Sequence, residues 1–168
     1  GTVFHRYGDL EPYRRHILVI APEDNLPDEE ICADLDNIEV VRCKSELDLL
    51  MGWMETIRSV DPEYITGYNI FGFDFAYLID RIDVYGKSKR YKFLNFGKID
   101  STKSIVYKSH RNKKCLEKKI KVSNFGTTDY NRYIHMDGRI IYDLQKEVEK
   151  GHNLESYKLD NVASHFMR

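Results

Sequence analysis

The chain has 168 residues, of which 42% are hydrophobic and 32% charged, and its formal net charge is −1. That length can bury one sizeable apolar core, and that composition excludes a disordered chain. No apolar run approaches the roughly eighteen residues of a membrane-spanning helix, and Gly1 to Arg6 carry no signal-peptide pattern.

Cys32, Cys43 and Cys115 are widely spaced and include no CxxC pair. This favours reduced thiols in an intracellular setting over a disulfide framework or structural zinc. The small net charge conceals a division. From Glu23 to Glu63 acids dominate, opposed only by Arg42, Lys44 and Arg58, whereas from Lys87 to Lys121 thirteen Lys or Arg face only Asp100 and Glu117. The basic stretch reads either as a phosphate-facing patch or as a solvated insertion.

In chain order, Thr2 to Tyr7 and Arg15 to Ile20 read as strands joined by the turn residues Gly8-Asp9-Leu10-Glu11-Pro12. Pro22 to Ala33 reads as an acidic loop and Ile38 to Val41 as a short β-branched strand. Ser45 opens a helix, with Asp48 three residues on as in a capping box. Leu47, Leu50, Met51, Met54 and Ile57 form its apolar face, and Asp61-Pro62 ends it. Tyr64 to Tyr68 shows little alternation, as expected of a central strand covered on both faces. Asp74 begins a second helix that buries Phe75, Leu78, Ile79 and Ile82, with Gly86 past its end. No structure is assigned to most of Lys87 to Lys121. Lys119 to Val122 and Arg132 to Met136 read as strands flanking Asn124-Phe125-Gly126. Asp137-Gly138 reads as a hairpin turn into the return strand Arg139 to Tyr142. Asp143 caps a short helix ending near Gly151, and Leu159, Val162, Ala163 and Phe166 mark a last amphipathic helix. The sum is an α/β sheet domain without internal repeats.

The chemically informative stretch runs from Asp61 to Leu78. A buried strand delivers Asn69 and Asp74 to its carboxyl end, the edge where open α/β sheets place ligand sites. A carboxylate there, walled by aromatic residues, can bind Mg²⁺ through hard oxygen ligands, and the rings offer stacking faces for unpaired bases. The plainer reading of Asp74 is an acid favoured at a helix N-terminus by the macrodipole.

The word Tyr68-Asn69-Ile70-Phe71-Gly72-Phe73-Asp74 resembles the second exonuclease motif of family B DNA polymerases, a Tyr-Asn pair followed by Phe-Asp and a helix. The Ser45 helix, Asp61-Pro62 and Ile65-Thr66-Gly67 resemble the stretch that leads into it. Asp137-Gly138-Arg139, Asp143 and Ser156 to Val162 resemble the family's hairpin, helix and Tyr-x-Leu-Asn-like helix in the same order, so the similarity covers nearly the whole chain.

The resemblance implies an incomplete ribonuclease-H-like exonuclease fold, a mixed sheet with flanking helices. It implies a replicative DNA polymerase that proofreads in the 3′–5′ direction by two-metal hydrolysis of a phosphodiester, with Mg²⁺ as cofactor. Asp74 would be the catalytic, metal-ligating carboxylate. Asn69 and Phe73 would shape the single-stranded DNA pocket, and Tyr68 would support the loop. Implied partners are DNA, as a frayed single-stranded 3′ primer end, the remainder of the polymerase chain and a processivity factor, in a nuclear or viral replication compartment.

Residues 1–168 would then be a partial exonuclease domain, with 87–131 as its basic insertion and hairpin region. The chain is expected to start after the family's first acidic motif and stop before its third, and to be inactive alone. Asp9-Leu10-Glu11 has the spelling of the first motif but lies in a turn. Tyr157 with Asp160 or Asn161 imitates the third, and Asp143 is accounted for as a helix cap. Arg132, Arg139 and the lysines near Lys113 are candidates for DNA-backbone contact or for plain surface roles. Two further readings stay open: a non-catalytic nucleic-acid-binding or structural domain of the same fold, and a stand-alone nuclease.

Overall fold

The computed structural model describes residues 1–21, 35–95, 97–98, 117–124, 127–134 and 136–167, with side chains left out for 117–133. The acidic loop expected at Pro22 to Ala33 and the Phe125-Gly126 turn lie largely or wholly outside these residues, as does most of the basic segment. The described chain is a mixed α/β structure divided into two compact units, Gly1–Ser59 and Val60–Arg168.

In the first unit β1 (Thr2–Phe4) runs antiparallel to β2 (Arg14–Ile20), which runs parallel to β3 (Glu39–Cys43). The central strand β2 buries His16, while Phe4 and Cys43 are buried on its two neighbours. Helix α1 (Glu46–Val60) follows. Its start is fixed as expected: the Asp48 backbone N–H donates to Ser45 Oγ, whose hydroxyl donates in turn to Asp48 Oδ2 at 2.7 Å. Leu50, Met54 and Ile57 are its buried stripe. Gly52 allows close approach to the sheet, since a Cβ there would lie 3.2 Å from Leu18 Cδ2. Trp53 Nε1 donates to Thr2 Oγ1, tying the helix to β1.

The second unit contains β4 (Tyr64–Gly67), α2 (Asp74–Asp83), α3 (Gly86–Phe93), β5 (Glu117–Asn124), β6 (Thr127–Ile134), β7 (Ile140–Asp143), α4 (Leu144–Gly151) and α5 (Leu159–Phe166). Strands β4 and β7 are parallel and in register from Tyr64↔Ile140 to Gly67↔Asp143. Strands β5 and β6 form a separate antiparallel pair. Phe75, Ile79 and Ile82 of α2, Phe93 and Leu94 at the end of α3, Ile134, Met136 and Val162 are buried in this unit.

Three expectations need correction. Arg139 to Tyr142 is not the return strand of a hairpin with Arg132 to Met136: Asp137-Gly138 is a turn, with Gly138 at φ +83°, but the chain leaves it to pair with β4. A parallel neighbour for β4 outweighs local hairpin geometry because the Ile140-Ile141 run can extend the sheet there. Second, β4 is not covered on both faces: among the described residues β7 is its only strand partner, and Tyr64 is exposed and stacks on Tyr142 with ring centres 6.0 Å apart. Third, Lys87 to Phe93 is helical although its polar sequence lacks an apolar stripe. Gly86 lies past the end of α2, as expected, and at φ +86° it also starts α3.

The approach to β4 is held by an ionic clasp. Arg139, its side chain almost wholly buried, reaches Asp61 Oδ1 at 2.7 Å and donates to the Pro62 carbonyl. Lys98 Nζ bridges Glu63 at 2.8 Å and Asp61 at 3.2 Å. Lys98 draws both carboxyls below their ordinary range, Asp61 being further lowered by Arg139, while Glu63 raises Lys98. A guanidinium buried in this way does not face a DNA phosphate, so Arg139 belongs to the scaffold.

Candidate nucleic-acid site

Strand β4 ends at Gly67, and the chain turns through Asn69 to Phe73 before α2 starts at Asp74. Two close approaches make this turn possible. A Cβ on Gly67 would lie 2.5 Å from Ile70 Cγ2, and one on Gly72 would meet Asn69 Oδ1, so a side chain at either position would force Ile70 or Asn69 to shift. Asn69 takes φ +57°, a left-handed conformation that Asn tolerates better than most residues.

The turn is wired from both sides. The Asn69 carbonyl accepts from the N–H groups of Gly72 at 3.2 Å and Phe73 at 3.0 Å, and the Ile70 carbonyl accepts from Phe75 N–H at 2.9 Å. From the neighbouring strand, the carboxylate of Asp143 accepts from Asn69 N–H at 2.9 Å and Phe71 N–H at 3.0 Å. It also accepts from Gln145 N–H at 3.1 Å, which makes it the N-cap of α4. Asp143 is only 2% exposed, so its burial is balanced by three hydrogen bonds from backbone donors. The cap reading is therefore correct and covers one of its three bonds.

Tyr68 is half-buried, and its hydroxyl donates to the Tyr157 carbonyl at 2.6 Å. Burial first, then the negative charges of Glu149 and Asp143, push its phenol pKa up, which keeps it a donor. Tyr157 is itself held, its hydroxyl donating to the His152 carbonyl at 2.8 Å. It serves the loop before α5. Tyr68 and Asn69 line an open cleft of about 530 Å³ together with Gln145, Glu149, Ser156, Tyr157, Lys158 and Leu159.

Phe73 and Asp74 do not line that cleft. They stand at the start of α2, Asp74 exposed and without an ion pair among the described residues. Phe73 is 64% exposed, and its ring lies nearly parallel to that of Tyr77, 56% exposed, with centres 6.2 Å apart and planes 8° apart. The start of α2 thus carries an exposed carboxylate and a stacked, exposed pair of rings, and those rings are able to stack on unpaired bases. The motif reading passed over Tyr77. Its spacing of four from Phe73, off the buried stripe, is the helical signal that both rings share one face.

Among the described residues no group of three or more His, Cys, Asp or Glu side chains is placed to hold a metal ion. Asp74 offers one hard oxygen donor group, and the described residues do not by themselves make a two-metal site. Asp9-Leu10-Glu11 sits on the β1–β2 turn, where Leu10 is almost fully exposed and Glu11 pairs with Arg15 at 3.1 Å.

Residues 1–162 match the family model described as DNA polymerase family B, exonuclease domain. A DNA polymerase of Pyramimonas orientalis virus is 35% identical over 99% of this chain and 12% of its own length. The DNA polymerase delta catalytic subunit of Dictyostelium discoideum is 33% identical over the whole of this chain and 13% of its own length. That of Caenorhabditis elegans is 29% identical over 95% of this chain and 13% of its own. The chain thus spans about one eighth of the length of these relatives.

Proposed function

Because the chain belongs to the exonuclease domain family of family B DNA polymerases, we propose that its Asn69–Asp74 turn receives the frayed single-stranded 3′ end of a primer for 3′–5′ proofreading in a replicative polymerase. The supporting observation is the turn itself: backbone wiring on two sides leads into a helix start where the Asp74 carboxylate is exposed, next in sequence to Phe73, whose exposed ring stacks on that of Tyr77. The parallel β4–β7 pair with α2 following β4 fits the ribonuclease-H-like fold that the family implies, and that fold is part of the proposal.

In this reading Phe73 and Tyr77 hold terminal bases by stacking, each such contact contributing about 1–3 kcal/mol. Asn69 and Tyr68 shape the adjoining cleft, and Asp74 faces the scissile phosphodiester. The divalent-metal chemistry proposed for the intact domain needs carboxylates besides Asp74, so the role assigned to this chain's own residues is to bind and orient the DNA end. DNA and the rest of a polymerase chain are the proposed partners, in cellular or viral replication.

The test is Asp74→Ala in the full-length polymerase, assayed for release of nucleotides from a single-stranded 3′ end. The expected result is loss of exonuclease activity with DNA synthesis retained. Undiminished release would remove Asp74 from the site and favour a non-catalytic nucleic-acid-binding role for the turn.

A further inference from the structure

We propose that Asp143 is a positioning residue for the exonuclease site, acting through the backbone of the turn and touching neither DNA nor Asp74. This rests on the reading of Asp74 given above and adds the element that sets its placement.

Asp143 is the last residue of β7, in register with Gly67, the last residue of β4. Its carboxylate projects across the strand ends to the turn beyond β4. One oxygen, Oδ1, accepts from both Asn69 N–H and Gln145 N–H, and Oδ2 accepts from Phe71 N–H. The two clamped N–H groups belong to residues whose carbonyl groups or near neighbours start α2. Asn69 takes the left-handed conformation and its carbonyl receives Phe73 N–H, while Ile70, between the clamped residues, receives Phe75 N–H. Asp74 lies between those two anchored amides. One buried side chain therefore fixes the direction in which the Asp74 carboxylate and the Phe73 ring leave the backbone. A helix cap alone needs only the Gln145 bond, which any short acceptor can make. Bonds to Asn69 and Phe71 need a planar, two-oxygen acceptor of this length.

The distinction between cap and clamp gives the experiment. Asp143→Ser keeps an oxygen able to cap α4 but too short to reach the turn. Asp143→Asn keeps one oxygen for Asn69 and Gln145 and sets an N–H₂ donor against Phe71 N–H. Both are made in the full-length polymerase. Release of the 3′-terminal nucleotide from a single-stranded oligonucleotide is measured at saturating DNA, and rates are normalised to DNA synthesis by the same molecules so that only folded enzyme is counted. The expected order is wild type, then Asn, then Ser, with kcat of the Ser variant lower by about 10²-fold, the size of effect that follows from small misplacement of reacting groups. Amide hydrogen exchange of peptides spanning residues 64–75 is expected to speed up in the same order.

If the Ser variant releases nucleotides at the wild-type kcat, or if exchange in 64–75 is unchanged, the clamp does not exist in the proposed sense. Should the Ser variant not fold, the Asn variant carries the same test, with wild-type kcat overturning the proposal. Asp74→Ala is run alongside. An active Asp74→Ala enzyme overturns the exonuclease reading, whereas an inactive one beside a fully active Asp143→Ser enzyme overturns only the positioning role.

Discussion

Two acidic turns of this molecule invite comparison, because both place carboxylates beside aromatic residues after a strand. The β1–β2 turn carries Asp9 and Glu11, with Tyr7 and Leu10 almost fully exposed. Its supports are backbone bonds from Asp9 N–H to the Arg6 carbonyl and from Tyr13 N–H to the Phe4 carbonyl, the Arg6 guanidinium over the Tyr13 ring, and a surface pair from Glu11 to Arg15. None of them is a buried side chain bonded to the backbone around Asp9. The β4–α2 turn carries Asp74 and is fixed by backbone bonds, two close-approach glycines and the buried carboxylate of Asp143. A carboxylate becomes a candidate site through what holds its backbone, and the same letters on a turn without a buried clamp remain solvated surface.

The comparison is most sharply tested by removing its main support. Asp143→Ala leaves three N–H groups without their acceptor, and each buried donor so orphaned costs roughly 1–3 kcal/mol. A loss of about 3–5 kcal/mol is expected in chemical denaturation, against about 0.5 kcal/mol or less for Asp9→Ala. Equal effects would erase the difference between the turns. Next in size is Gly67→Ala, whose new methyl must displace Ile70, at a cost of about 1–3 kcal/mol. Gly8→Ala meets open space and carries only the strain of its φ of +95°, about 1 kcal/mol. Tyr68→Phe deletes the hydroxyl bond to the Tyr157 carbonyl and is expected to cost about 1 kcal/mol in a thermal melt.

The smallest expected effects are electrostatic and separate the two units by pH. In the first unit, burial on the central strand lowers the pKa of His16 against a partly offsetting pull from Glu39, and its Nδ1 has no hydrogen-bond partner among the described residues. The unfolded chain therefore takes up a proton near the ordinary value of 6.5 while the folded chain resists it, so stability falls as pH drops below about 6.5. In the second unit Asp61 and Glu63 have folded pKa values below their ordinary 3.8 and 4.5. Their contribution is full above those values and is lost as pH falls through the depressed ones. Hydrogen exchange in each unit as a function of pH checks this. A first unit insensitive between pH 7 and 5.5 would contradict the His16 assignment.

Local signals located most elements. The Ser45–Asp48 cap, the Leu50-Met54-Ile57 stripe and the Asp61-Pro62 stop are short-range physics, and α1 follows them closely. Strand pairing was less legible. Asp137-Gly138 has hairpin chemistry, and nothing local reveals that Ile140 to Asp143 pairs instead with a strand more than seventy residues away. Helix α3 was missed because Lys87 to Phe93 is too polar to show periodicity. At the candidate site, the word from Tyr68 to Asp74 picks out the turn on which the proposal rests. The clamp did not show, since an Asp before a helix has a sufficient local explanation as a cap, and its two long-range bonds appear only once β7 lies beside β4.

The central claim is that a single-stranded 3′ end meets the β4–α2 turn. The most direct measurement is photocrosslinking of the full-length polymerase to an oligonucleotide bearing 5-iodouracil at its 3′ terminus, with the adduct mapped by mass spectrometry. The expected adduct is on Phe73 or Tyr77, and it diminishes when either ring is replaced by Ala. Adducts confined to Tyr7 or Tyr13 on and beside the β1–β2 turn, with none on α2, would contradict the account.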